Sequence, residues 1–384
     1  MRMRKLWVYL VILTALAFGF TTLAAAQSSA ARAVYDASAF VTTNLPGIRT
    51  FTAPPAGFNP LTATDEEIAT YGFPPRPSQN EVDHYAQWAR AMAAARNRWS
   101  GELKVTDISH GPMRPAAAPV EASAIGETVP TTGYSSNWSA FVNTNTLTKW
   151  NKTISFYKVV SEFNVPVAQQ AFKSSAAESG NVCDGGWDME SSWNGIDGFG
   201  DQYALLQGGT LSASYCSGGT PQTMYWAWIE WWPNSSIGEF AVNPGDDFYV
   251  ATWDTSATQG YVYLEDLTLQ TWSTYALQPP AGDPGLIGNS AEYVVERPCC
   301  RGSNLYPLAN YVQDYWANSW AVTFYASEKD LATAYYPGST ATSNYLVNMV
   351  DDAGTQTISV PVAQGKNGIL FQNENCAYIG GCTL

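Results

Sequence analysis

Histidine is nearly absent from this chain. His84 and His110 are the only two among 384 residues, and both precede residue 131. The stretch beyond therefore builds neither a Ser-His nor a Cys-His nucleophile pair, nor a histidine-ligated metal site. A hydrolase made there must use Asp or Glu as its general acid and base. Charge is sparse as well, at 14% of residues, and lopsided: residues 131–384 hold 8 basic side chains against 23 acidic ones. That balance repels nucleic acid and anionic membranes, and its self-repulsion relaxes as carboxylates take up protons. No C-x-x-C pair occurs, so neither a zinc site nor any cofactor is expected. Beyond the first twenty residues no run of about 18 apolar residues is available to cross a membrane.

The opening residues have a different character. A basic start (Arg2, Arg4, Lys5), an apolar run from Leu6 to Phe20 and the small residues Ala24–Ala26 read as a secretory signal peptide over 1–26. The product is expected to be secreted, extracellular, soluble and monomeric. In an exported chain the six cysteines, Cys183, Cys216, Cys299, Cys300, Cys376 and Cys382, read as disulfides, with 15 connectivities open.

Residues 27–130 are proline-rich in patches ("APPAGFNP", "GFPPRPS", "GPMRPAAAPV"). They predict a short helix over 62–72, a longer one over 80–99, and an exposed linker over 115–133. After Gly133 short β-rich runs alternate with Gly, Asn, Asp and Ser turns. The pattern predicts an all-β antiparallel sandwich or barrel.

Tryptophan is abundant there, and its densest run is "YWAWIEWWP" (225–233). Strand alternation puts Trp226, Trp228, Glu230 and Trp232 on one face, and Tyr225, Ala227, Ile229 and Trp231 on the other. One face enters a core. The other is either the edge of an aromatic core or the wall of a cleft around one carboxylate. A carboxyl beside indole is expected to have a raised pKa. A second run, "SAEYVVERP" (290–298), sets Glu292 and Glu296 on one face, about 13 Å apart and too far for a direct dyad. A third, "SSWNGIDGFGDQYALLQGGT" (191–210), brings Trp193, Asp197 and Gln207.

In order along the chain, "SSNWSAFV", "FNVP", "SSWNGIDG", "LLQGGT", "AWIEWWP" and "SAEYVVE" resemble the eqolisin, or glutamic peptidase, family. The resemblance covers about residues 133–297, with "PLANY" (307–311) and "YGFPPRP" (71–77) similar to bacterial members. It implies a curved, concanavalin-like sandwich of two packed antiparallel sheets with substrate on the concave face. It implies an acid-active endopeptidase acting on proteins or peptides, made with a propeptide as intramolecular inhibitor. The family's catalytic glutamine falls on Gln207 and its glutamate on Glu296. Its supporting tryptophans and acids fall on Trp193, Asp197, Trp228 and Glu230. The chain departs from fungal members at Trp226 and Leu211, where those often carry acids, which leaves subsite preference and the depth of the acid optimum open.

On this reading residues 27–130 are the propeptide and 131–384 the catalytic domain. Acidification would charge His84 and His110 and loosen the contact; the plain alternative makes both ordinary surface residues. The rival function is a carbohydrate-binding or glycan-hydrolysing sandwich, with Glu230 and Glu296 as an acid/base pair.

Overall fold

In the computed structural model the described residues are 40–117, 131–151, 154–170, 186–200, 204–299, 305–323, 334–335, 344–365 and 367–373. The signal-peptide region and Cys183, Cys300, Cys376 and Cys382 lie outside them. Among the described residues no helix is long and apolar enough to cross a membrane.

Strands dominate. The N-terminal region supplies β1 (Phe40–Thr42), β2 (Arg49–Phe51), α1 (Asp65–Thr70), α2 (Val82–Ala94), β3 (Asn97–Arg98) and β4 (Lys104–Val105). The body follows as β5 (Thr131–Ser135), β6 (Trp138–Thr144), β7 (Phe156–Asn164), β8 (Trp187–Ile196), β9 (Leu205–Ser217), β10 (Thr220–Trp232) and β11 (Ile237–Ala241). After these come β12 (Asp247–Ser256), β13 (Gln259–Asp266), β14 (Thr271–Leu277), β15 (Ser290–Glu296), β16 (Gln313–Thr323) and β17 (Ala334–Tyr335). The last three are β18 (Asn344–Val350), β19 (Thr357–Gln364) and β20 (Gly368–Asn373).

Antiparallel pairing runs β11-β10-β9-β8-β15-β6-β18 through one layer. From β18 it passes through β19 and β20 into the second layer, β16-β7-β12-β13-β14. The layers pack face to face, β7 and β12 against β8 and β9. This is the expected antiparallel sandwich. Alternation along β10 sorts as the sequence pattern demands. Ala227, Ile229 and Trp231 enter the core between the layers with Phe163, Phe248, Val262 and Leu264. Trp228 turns to the opposite face, into a second cluster with Trp138, Trp193, Leu205 and Val294.

The N-terminal region covers both outer faces. On the outside of the second layer Phe51, Ile68, Phe73, Trp88 and Met92 pack with Tyr249, Trp253, Tyr263, Trp272 and Trp320. Helix α1 starts where expected, on a reciprocal cap in which Thr64 accepts from the Glu67 amide and Glu67 accepts from the Thr64 amide. Helix α2 is shorter than the expected 80–99. It stops at Ala94 because the next residues join the sheet, Asn97 and Trp99 donating to the carbonyls of Gln270 and Trp272. The expected linker also ends earlier than 133, since Thr131–Ser135 pair in parallel with β18.

Candidate active site

The cleft-side face of the first layer is read directly from register. Glu230 of β10 pairs with Gln207 of β9, which pairs with Gly195 of β8, which pairs with Glu292 of β15. One row along lie Trp228, Gly209, Trp193 and Val294; the next holds Leu211, Ser191, Glu296 and Trp138. The two glycines after Gln207 serve close approach. A Cβ on Gly209 would stand 2.0 Å from the Ser192 carbonyl oxygen, and one on Gly208 would stand 2.4 Å from Val262 in the second layer. The sequence "QGG" thus lets β9 pack tightly on both sides while Gln207 points into the cleft.

Register alone makes Glu292 the partner of Gln207, but packing does not. The gap over Gly195 is filled: a Cβ there would meet Leu205 and the Trp193 ring edge, each at 3.0 Å. The Trp193 indole lies over Gly195 and reaches the other way to Glu296, donating from Nε1 to Oε2 at 2.8 Å. The second oxygen of Glu296 accepts from Asn137 Nδ2 at 3.2 Å. Trp138 stands edge-on to Trp193 at 5.1 Å between ring centres. Burial drives the Glu296 carboxyl well above the ordinary carboxylate range, against the bonds from Trp193 and Asn137 and the nearby charge of Arg114.

The face is not an open cleft. Residues 104–116 run across it as a strap. Lys104–Val105 pair with β11, and Ser109 exchanges backbone hydrogen bonds with Cys299 just past β15. Then the strap enters the site. Gln207 Nε2 donates to the His110 carbonyl oxygen at 2.5 Å. Trp138 Nε1 donates to the Gly111 carbonyl at 3.1 Å, and Asn137 Nδ2 reaches the carbonyls of Gly111 and Pro112. Gln207 and the Glu296 group therefore face consecutive peptide units of one segment.

Glu230 binds the same segment. Its Oε1 accepts from the Ser109 hydroxyl at 2.9 Å and its Oε2 from the His110 amide at 3.0 Å. The His110 ring stacks on Trp228 at 3.5 Å and 5°. Nδ1 lies 3.0 Å from Glu230 Oε2, and Nε2 lies 2.8 Å from Ser191 Oγ. Ser191 commits its one hydroxyl proton to the Thr210 carbonyl, so His110 Nε2 is the donor to Ser191. Burial lowers the His110 imidazole well below its ordinary range and raises Glu230 well above its own. Both directions favour an uncharged pair, with the Glu230 carboxyl donating to Nδ1.

Five of the six expected residues, Gln207, Glu296, Trp193, Trp228 and Glu230, come together. Asp197 does not join them. It sits just past β8 at φ 69°, and its carboxylate accepts from the amides of Ile287, Gly288 and Asn289. It pins the loop leading into β15, and burial lifts its pKa to about 6. The surface reading of the histidines is overturned: His84 and His110 are 2% and 1% exposed, because each ring stacks on a tryptophan, Trp320 and Trp228. Sequence reasoning missed Ser109, His110 and Ser191 as members of the site. Asn137, which heads the Asn-Trp-Ser sequon at 137–139, is buried within the site and its amide is engaged.

A family model described as the Peptidase A4 family matches residues 136–357. The chain belongs to the Peptidase A4 family. Among solved structures it is similar to scytalido-glutamic peptidase bound to a peptide-based transition state analog: 20% identity, 62% of this chain and 98% of that one, TM-score 0.45. It is also similar to aspergilloglutamic peptidase from Aspergillus niger: 23% identity, 48% of this chain and 99% of that one, TM-score 0.39. No curated protein matches the chain in sequence. As a Peptidase A4 member it is a glutamic peptidase, an enzyme acting on proteins or peptides, rather than the rival glycan-binding sandwich. The strap lies N-terminal to the matched segment, so its contacts belong to this chain's own sequence.

Proposed function

We propose that this protein is a secreted, acid-active endopeptidase in which Glu296 is the general acid and base and Gln207 stabilises the oxyanion. The observation that supports this reading is the convergence of both residues on one peptide segment, Gln207 at the His110 carbonyl and Glu296, through Asn137, at Gly111. With substrate in place of the strap, ionised Glu296 takes a proton from a water, and the water attacks the scissile carbonyl. The Gln207 amide N–H donates to the oxygen as negative charge develops there. Its Oε1, which is buried with no protein partner, orients the water. Glu296 returns the proton to the departing amine. Trp193 positions Glu296 and holds it ionisable through the Nε1 bond.

The strap makes the described form a zymogen. It covers the cleft against substrate, and burial in this form raises the Glu296 carboxyl well above its ordinary range. Opening the cleft to water returns the carboxyl toward its reference pKa of about 4.3, which suits catalysis in acid. Residues 27–130 act as the intramolecular inhibitor and residues 131–384 as the peptidase, a monomer without cofactor.

Proteolysis of a denatured protein from about pH 2 to about pH 8, with intact-mass analysis of the enzyme, tests the reading. Cleavage of substrate and of the enzyme's own strap in acid supports it. A folded protein freed of its strap and inert at every pH contradicts it.

A further inference from the structure

Arg297 stands just past β15, one residue after Glu296, and is only 4% exposed. A buried guanidinium must find partners for its donors. Nε donates to the Tyr306 carbonyl at 2.9 Å, and Nη1 donates to the Ser136 carbonyl at 3.2 Å. Its ion pair, to Asp352 at 2.9 Å, reaches a side chain that is 77% exposed, where such a pair contributes little. The backbone carbonyls are therefore the partners that matter. The main-chain amide of Arg297 adds a third, donating to the Asn137 carbonyl at 2.9 Å. One residue thus grips the two carbonyls that flank the Asn137 Cα, Ser136 from its side chain and Asn137 from its main chain.

Asn137 donates to Glu296 Oε1 at 3.2 Å. The strap holds Asn137 from one side. The Arg114 amide donates to its Oδ1 at 2.8 Å, and its Nδ2 reaches the Gly111 and Pro112 carbonyls. Ser135 and Arg297 hold it from the other side, Ser135 Oγ donating to Oδ1 at 2.9 Å. When substrate replaces the strap, the contacts to residues 111, 112 and 114 are lost. Those to Ser135 and Arg297 stay.

We propose that Arg297 is a positioning residue for the reaction: it fixes the backbone on both sides of Asn137, so that Asn137 Nδ2 keeps its place on Glu296 Oε1 once the strap has left the cleft. The proposal rests on the Gln207/Glu296 reading and deepens it. Glu296 must be ionised to take a proton from water, and a donor on a carboxylate favours the ionised form. Asn137 and the Trp193 indole each supply one such donor, to separate oxygens. Without the clamp the Asn137 amide is free to turn, and the carboxyl then titrates higher. Arginine suits the task because its donors lie in a rigid planar fork, whereas the lysine ammonium is a compact charge on a flexible stem.

The test compares Arg297→Met and Arg297→Lys with wild type on acid-denatured haemoglobin, each made as the full chain, freed of its strap in acid and shown by circular dichroism to be folded. Arg297→Met keeps most of the side chain's length and removes its donors. It is expected to lower kcat by about tenfold with KM little changed, and to move the acid limb of the kcat profile to higher pH. Arg297→Lys should fall between. A double variant separates positioning from a general loss of packing. In an Asn137→Ala background no amide is left to hold, so Arg297→Met should change kcat by less than about twofold. An unmoved kcat and acid limb in folded Arg297→Met, or a loss equally large in the Asn137→Ala background, overturns the proposal. Where Arg297→Met does not fold, Arg297→Lys decides, and a folded Lys variant with wild-type kcat and acid limb overturns it. Glu296→Gln in the same assay keeps the two readings apart. Inert Glu296→Gln beside an Arg297→Met that matches wild type removes the clamp and leaves the base standing; active Glu296→Gln removes both.

Discussion

The side-chain amide of Gln207 donates a hydrogen bond to the backbone carbonyl of His110, 97 residues earlier in the chain. A peptide carbonyl from the chain's own N-terminal region thus meets the amide that the proposed mechanism makes the oxyanion donor. That contact ties the N-terminal region to the candidate site.

Replacing Gln207 by Ala removes this donor without touching Glu296. Turnover on a denatured protein is expected to fall on the order of 10²–10³, with KM little changed. Steady-state kinetics on protein freed of its strap check this. A loss confined to KM would make Gln207 a binding residue only.

Stability should be greatest in acid. Burial raises Glu239 to about 8, Asp314 to about 7 and Asp197 to about 6, and Glu190, Glu265 and Glu292 rise well above the ordinary range. A group whose folded pKa lies above its unfolded value contributes fully below the unfolded pKa. That contribution is lost as pH rises through the folded pKa. The window is therefore from about pH 4 upward through about pH 8, and the melting temperature should decline across it. Ser192 sharpens the point. Its single hydroxyl proton lies between Glu190 and Asp314, 2.5 and 2.7 Å away, so one carboxyl must itself carry a proton. Glu190→Gln should flatten the decline. A melting temperature that rises toward neutral pH would contradict the account.

Tight packing of β8 on β9 makes Gly209 intolerant of a side chain. Gly209→Ala places a Cβ 2.0 Å from the Ser192 carbonyl and 2.7 Å from Trp193 Cα, contacts that only a backbone shift relieves. Unfolding free energy from denaturant titration should drop by about 3 kcal/mol or more.

Cleavage within the strap should not by itself free the N-terminal fragment at neutral pH. Phe51, Phe73 and Trp88 are buried against Trp272, Tyr263 and Trp253. Arg90 pairs with Glu162, and the Trp320 indole donates to Gln87 at 2.7 Å. Nicked protein should elute as one species on gel filtration at neutral pH and separate only in denaturant. Two species without denaturant would contradict this.

Much of this was legible in the residues. Period-two alternation in "YWAWIEWWP" sorted Trp228 and Glu230 from Ile229 and Trp231, because a strand between a core and a cleft has no other solution. The six ordered motifs named Gln207 and Glu296. Two things were not legible. Glu292 shares Gln207's row, and it takes the structure to show the Trp193 ring lying over Gly195 and donating to Glu296. Nor did any local pattern reveal His110 as a cleft residue. Its partners Glu230 and Ser191 lie 120 and 81 positions away, and "ISHGPM" carries no periodic signal. The contacts of Asp197 were not legible either: with its backbone at φ 69° the carboxylate accepts from the amides of Ile287, Gly288 and Asn289, a conformation no single-sequence reading supplies.

The most direct test compares three isosteric changes, Glu296→Gln, Glu292→Gln and Glu230→Gln, in protein shown by circular dichroism to be folded and freed of its strap. The account predicts that Glu296→Gln abolishes hydrolysis of a denatured protein at about pH 4, while Glu292→Gln and Glu230→Gln, which leave Gln207 and Glu296 in place, retain measurable hydrolysis. Near-full activity in folded Glu296→Gln, or its abolition in Glu292→Gln alone, would contradict the central claim.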